Sequence, residues 1–157
     1  MKTASLHELK KEISALTPKE LQELCLRLAK YKKENKELLS YLIFEAHDEE
    51  AYIRGVKKLI DEQFAELNKS HVYLAKKTIR KVLRTTNKYV KYSQNPRTEI
   101  ELRIYFLSKF KSSGIAIRKA PVLANLYERQ LEKINSTLKK LHEDLQNDYK
   151  SEIGSLS

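Results

Sequence analysis

The stretch KKTIRKVLRTTNKYVKYSQNPR, residues 76–97, decides the fold class of this chain. On a helix that advances about 100° per residue, its lysines and arginines up to Lys91 fall within roughly 140° of arc. The residues that cluster on the nearly opposite arc are mostly apolar: Val72, Ala75, Ile79, Val82, Leu83, Thr86 and Val90. This division into two faces is typical of an amphipathic α-helix that buries one side in a core.

Capping residues mark the starts of further helices. Thr17-Pro18-Lys19-Glu20 predicts a helix from residue 18, because Thr17 and Glu20 can form a reciprocal capping box and proline suits the first turn. A short helix over roughly residues 5–15 is expected before it. Asp48, Ser70 and Asn95 are predicted to cap later helices.

Residues 18–47 are predicted to form one helix with a potential break. Leu21, Leu24, Leu28 and Tyr31 follow a three-four spacing that continues towards Leu38 and Leu42. The polar stretch from Lys32 to Asn35 interrupts this stripe. If the helix breaks there, Asn35 is the predicted new N-cap.

The predicted fold is all-α. Three glycines and three prolines are too few for the regular turns of an all-β chain. We expect more than about 70% helix, in a single-domain bundle of about six or seven helices. This domain would span residues 1–150, and residues 151–157 would be a frayed tail. Stacking like that of an α-solenoid is the alternative architecture, although no pattern recurs at a fixed period.

A long C-terminal helix is expected from Pro121 to about residue 148. Its apolar residues alternate spacings of four and three: Tyr127, Leu131, Ile134, Leu138, Leu141 and Leu145. A seam of this kind either packs against other helices of the chain or pairs with a second copy. We favour packing within a monomer, with a homodimer through this helix as the alternative.

The positive charge is confined to the middle of the chain. The formal net charge is +10, yet residues 67–127 hold 14 basic and only 2 acidic side chains. The segments on either side are close to neutral. A local field of one sign indicates an anionic partner rather than a feature of the fold.

The candidate contacts for an anion or phosphate lie on the basic face of residues 76–91. They are Lys76, Lys77, Arg80, Lys81, Arg84, Lys88 and Lys91, together with Tyr73 on the same face. Like charges four residues apart repel, and no acidic residue relieves them here. Arg103, Lys109, Lys111, Arg118 and Lys119 would extend this patch if their elements lie beside it.

Signals for catalysis or for a cofactor are absent from the sequence, and we predict neither an enzyme nor a cofactor or metal. No glycine-rich phosphate loop and no zinc-binding spacing of Cys and His occurs. Cys25 stands beside the Leu21 and Leu28 stripe, which predicts a buried, unreactive thiol. No apolar run is long enough for a transmembrane segment, and a cytoplasmic location is expected.

Two segments together resemble a known kind of protein. LKKEISALTPKELQELCLRLAKYKKENKELL near the start and AKKTIRKVLRTTNKYVK later are similar to a family of small, basic, all-helical bacterial proteins. The resemblance covers most of the chain. No activity is assigned to that family, so the resemblance implies a fold but no functional residues.

Two classes of function therefore stay open, and the sequence does not determine a specific one. The first is a non-catalytic helical protein-interaction module that binds an acidic protein or a second copy of itself. The alternative is sequence-nonspecific binding of nucleic acid through the phosphate backbone, with Tyr73 available to stack on a base. Contact with an anionic membrane is disfavoured for this helix, because its other face is needed for the core.

Overall fold

The computed structural model describes residues 2–157, and helices make up 81% of the chain. No strand occurs among the described residues, so the predicted all-α class and high helix content are confirmed. The chain divides into an amino-terminal unit that ends at Phe44 and a carboxy-terminal unit, Glu45–Ser157. The sequence predicts one domain over residues 1–150, without this division.

Eight α-helices occur in the described part of the chain, against the predicted six or seven. They are α1 (Leu6–Ser14), α2 (Pro18–Tyr31), α3 (Lys33–Ser40), α4 (Glu49–Ala65), α5 (Val72–Ser93), α6 (Pro96–Ser112), α7 (Pro121–Leu138) and α8 (Glu143–Leu156). A π-helical turn follows α3 at Tyr41–Glu45, and a 3-10 turn precedes α7 at Ile117–Lys119. Among residues 2–157, no helix has both the length and the apolar character needed to cross a bilayer.

Local capping explains where the first helices begin and where they break. Thr17 forms the predicted capping box with Glu20, whose carboxylate accepts from the Thr17 N–H at 2.8 Å. The expected single helix over 18–47 is broken, because Lys32 is extended and ends α2. The predicted cap at Asn35 is wrong: α3 begins at Lys33, and the Asn35 amide donates to the Leu28 carbonyl at 2.9 Å.

Helix α6 is the centre of the carboxy-terminal unit. It packs against α4, α5, α7 and α8, and it buries residues around most of its circumference. Asn95 caps it as predicted, accepting from the Arg97 N–H. The predicted Ser70 cap of α5 is wrong, since His71 occupies that position without a side-chain bond. Cys25 is only half-buried, in the amino-terminal unit.

The expected long C-terminal helix is two helices. Helix α7 ends at Leu138, and α8 begins at Glu143 after His142 caps it by accepting from the Asp144 N–H. The turn lets α8 run back against α6 and α7 and bury its own apolar side. Residues 151–156, expected to fray, continue α8, and Ile153 and Leu156 are buried. The first half of the predicted seam is buried within the chain, at Tyr127, Leu131 and Ile134.

A cluster of polar side chains ties α4, α6 and α8 together. Glu101 on α6 accepts from Lys57 at 2.7 Å and from the Tyr149 hydroxyl at 2.9 Å. Burial raises the pKa of Glu101, but these two hydrogen bonds outweigh burial and hold its pKa below the ordinary value. The pKa of Asp61 is likewise lowered, since bonds from Lys109 and Tyr105 outweigh its desolvation.

These lowered pKa values predict acid sensitivity. A carboxylate whose pKa is lower in the folded chain stabilises it above the ordinary value, 4.5 for Glu101, and this contribution is lost as pH falls further. We expect the melting temperature to drop below about pH 4.5, and Glu101→Gln to make that drop shallower. Thermal unfolding followed by circular dichroism from pH 6 to pH 3 (roughly the range that spans both carboxylates) measures this.

The exposed Glu62 on α4 provides the control. Glu62→Gln should leave the acid dependence as in the parent. Equal acid dependence in the parent and in Glu101→Gln would contradict a stabilising role for the Glu101 carboxylate.

Candidate anion-binding groove

Helix α5 has the two faces that its sequence predicts. Ala75, Ile79, Val82, Thr86 and Val90 are buried against the rest of the carboxy-terminal unit. The predicted contact residues are exposed or half-buried on the other side, and Tyr73 is 78% exposed. The basic face is therefore open to a partner along its length.

Five of the eight predicted contact residues share one depression, and three do not. Tyr73, Lys76, Lys77, Arg80 and Arg84 line a cavity of about 510 Å³ together with Leu83 and Asn87. The remaining three lie outside this depression. Lys81 forms an ion pair with Glu66 at 2.7 Å, the Lys88 ammonium lies over the Tyr89 ring, and Lys91 is exposed.

A second depression lies between α5 and α7, with a volume of about 500 Å³. Arg80, Leu83 and Asn87 line both depressions, so the two are continuous. We call the combined surface the α5–α7 groove. From α7 and its start it gains Val122, Asn125, Leu126, Arg129, Gln130, Glu132 and Lys133.

Arg103 of α6 lies buried beneath the groove and orients two of its side chains. Its guanidinium donates to the Glu99 carboxylate at 2.8 Å, to Asn87 Oδ1 at 2.8 Å and to Gln130 Oε1 at 2.7 Å. Only 6% of the Arg103 side chain is exposed. The Glu99 carboxylate neutralises the buried charge of Arg103, and the two amide oxygens accept further hydrogen bonds from its guanidinium.

This arrangement gives the groove hydrogen-bond donors. The amide oxygens of Asn87 and Gln130 are occupied by Arg103, whereas their amide nitrogens donate to no acceptor in residues 2–157. Arginine and lysine side chains also only donate. A ligand that complements this surface therefore supplies acceptors, as a carboxylate or a phosphate does.

The charges of the groove are largely uncompensated. Lys76, Lys77, Arg80 and Arg84 on α5 form no ion pair with a described carboxylate, nor do Arg129 and Lys133 on α7. Glu132 is the one acid among the described residues that line the groove. Clefts lined by one sign of charge concentrate the opposite charge.

The predicted extension of the basic patch is mostly wrong. Lys109 pairs with Asp61 on α4, and Lys111 donates to carbonyls at the end of α8. Arg118 and Lys119 line a separate cavity beside α7 and α8. Of these five residues only Arg103 contacts the groove. It is buried, pairs with Glu99 and donates to Asn87 and Gln130.

Sequence reasoning missed the wall of the groove that α7 supplies. Arg129 and Lys133 are four residues apart and so lie on one helical face, which is a visible signal. They alternate with Glu128 and Glu132, however, so their segment is close to neutral and resembles an ordinary solvent face. Nothing in the sequence places that face beside α5.

No family model matches the chain, and no match was found among curated proteins or solved structures. The resemblance to a family of small, basic, all-helical bacterial proteins thus stays a prediction.

Proposed function

We propose that the chain is a non-catalytic protein-interaction module that binds an acidic protein segment in the α5–α7 groove. The observation that carries the proposal is the combination of donors with apolar side chains in one groove. Leu83, Val122 and Leu126 line the same depression as the cations of α5 and α7, and Val122 is 44% exposed. Amphipathic helices bind proteins by laying an apolar face into a groove of this kind.

Phosphate contacts alone would leave the apolar side chains without a role. A nucleic-acid backbone is bound through cations and polar donors, and its affinity depends mainly on counterion release. Burial of Leu83, Val122 and Leu126 is instead favourable only against apolar groups of a partner. An acidic segment that also carries leucines satisfies both kinds of group.

Binding of nucleic acid is the second candidate, and Tyr73 favours it. This ring is exposed at the end of the groove beside Lys76 and Lys77. Bases stack on aromatic rings in proteins that bind single strands, while cations hold the backbone. The same cations would serve, but the apolar residues of the groove would not matter.

The experiment compares two probes at low and at physiological salt. One is a short synthetic helical peptide with glutamates on one face and leucines on the other, with a scrambled peptide as reference. The other is a single-stranded oligothymidylate. Fluorescence anisotropy should show binding of the ordered peptide, and Arg80→Gln/Arg129→Gln should weaken it at least about tenfold, because each charge-assisted bond contributes about 1.5–3 kcal/mol.

Apolar and charge controls separate the candidates. Val122→Ser/Leu126→Ser should weaken peptide binding but leave oligonucleotide binding unchanged. Lys91→Gln/Lys139→Gln removes two charges outside the groove and should leave peptide binding as in the parent. Binding of the oligonucleotide alone, with an affinity that falls steeply with salt, would support the second candidate; absence of both at low salt would reject the two.

A further inference from the structure

The α2–α3 hairpin of the amino-terminal unit has an apolar surface that nothing in its own unit covers. Three consecutive apolar residues that follow α3 are exposed: Leu42 at 57%, Ile43 at 58% and Phe44 at 69%. They lie in the π-helical turn Tyr41–Glu45, and such turns often occur at functional sites. Contiguous exposed apolar surface is unusual in a protein without a partner for it.

Ile43 and Phe44 line a shallow cavity of about 580 Å³ on the hairpin. Its apolar lining comes from both helices and from the turn: Leu26, Ala29, Leu39, Ile43 and Phe44. Since α2 and α3 pack side by side, both helices present apolar groups to the same surface. Apolar side chains from both helices can therefore contact one apolar layer at the same time.

Four lysines contribute to the lining of the same cavity. Lys30, Lys32, Lys33 and Lys36 line the same cavity, and no acidic residue does so among the described ones. Lys33 is weakly paired with Glu37 at 3.8 Å, whereas the other three form no ion pair with a described carboxylate. Long lysine side chains can keep their ammonium groups in water while their stems follow an apolar surface.

We propose that this surface of the α2–α3 hairpin docks on an anionic lipid membrane. The apolar side chains would enter the boundary between headgroups and acyl chains, and the lysines would contact the anionic headgroups. This occupant satisfies both features at once, because interfacial binding depends on buried apolar area together with attraction to anionic lipid.

A neighbouring depression of the hairpin, which shares Ala29 and Leu39 with this surface, contrasts with it. This smaller cavity between Cys25, Leu28, Leu38 and Leu42 has apolar walls and no charged residue in its lining. It offers no charge complementarity to a headgroup. The proposal therefore concerns only the cavity that lysines line.

The test uses the full chain and sedimentation with vesicles of phosphatidylcholine, with and without phosphatidylserine. We expect binding to the anionic vesicles only. Ile43→Ser/Phe44→Ser should weaken it about tenfold or more through lost apolar burial. Lys32→Gln/Lys36→Gln should weaken it about thirtyfold, in keeping with the contribution of a lysine near an anionic surface.

Matched controls place the binding on this surface. Leu6→Ser/Leu9→Ser removes two exposed apolar residues of α1, and Lys10→Gln/Lys11→Gln removes two of its charges. Both should bind as the parent does. Arg80→Gln/Arg129→Gln should also bind as the parent does, which separates this surface from the α5–α7 groove.

Three results would overturn the proposal. One is absence of binding to anionic vesicles at low salt. Another is equal loss of binding in the controls and in the hairpin variants. The third is a concentration-dependent mass in light scattering that Ile43→Ser/Phe44→Ser abolishes, since this would assign the surface to a second copy of the chain.

Discussion

Replacing Phe106 with alanine should destabilise the carboxy-terminal unit by about 3–5 kcal/mol. The ring is fully buried on α6, and its centroid lies 5.9 Å from that of Phe64 and 6.0 Å from that of Phe110. The substitution removes aromatic contacts to α4 and within α6 and leaves a cavity at the centre of the unit. Because domains are typically stable by about 5–15 kcal/mol, a large part of the total would be lost.

Urea unfolding followed by circular dichroism measures this effect. Tyr73→Ala is the matched control, since it removes an aromatic side chain from an exposed position of the same unit. It should change the free energy of unfolding by less than about 0.5 kcal/mol. If Phe106→Ala unfolds at the same urea concentration as the parent, Phe106 does not hold α4 against α6.

Replacing Arg103 with methionine should destabilise the same unit by about 3 kcal/mol. Methionine retains much of the apolar stem, so the effect isolates the guanidinium. Its loss leaves the Glu99 carboxylate without its partner and the oxygens of Asn87 and Gln130 without their donor. A buried polar group left without its partner costs its desolvation free energy, about 1–3 kcal/mol and more if the group is charged, whereas replacing both partners by apolar groups can be nearly neutral.

A double-mutant cycle tests this explanation. Glu99→Gln introduced beside Arg103→Met should recover part of the lost stability, because no unpaired carboxylate remains. Arg80→Met provides the control, since Arg80 is exposed and forms no ion pair with a described residue. Strictly additive effects of the two substitutions at Glu99 and Arg103 would show that their pairing contributes nothing.

Much of the fold is predictable because helix signals are local. The Thr17 capping box, the Asn95-Pro96 break and the faces of α5 each depend on residues within a few positions of one another. The central position of α6 also follows from its own apolar residues. Sequence-based prediction fails where local signals are compatible with two structures. The apolar stripe of residues 21–42 fits a continuous helix, but Lys32 is extended and ends α2.

The C-terminal region shows how tertiary packing overrides a local pattern. The seam from Tyr127 to Leu145 is compatible with one long helix. A straight helix would carry Tyr149, Ile153 and Leu156 away from the rest of the unit. The turn after Leu138 lets them pack inward instead, and the Tyr127 hydroxyl donates to the Leu156 carbonyl at 2.8 Å.

By itself, the sequence determined the helical class, most helix starts and the cationic face of α5, since each follows from spacing and capping within one segment. Only the tertiary structure decided that Arg129 and Lys133 lie across a groove from Arg80, with Arg103 beneath it. The physical reason is distance along the chain. The walls of the groove come from α5 and α7, and the packing of α6 with each of them brings the walls together. No periodicity within one helix encodes which face of another helix it meets.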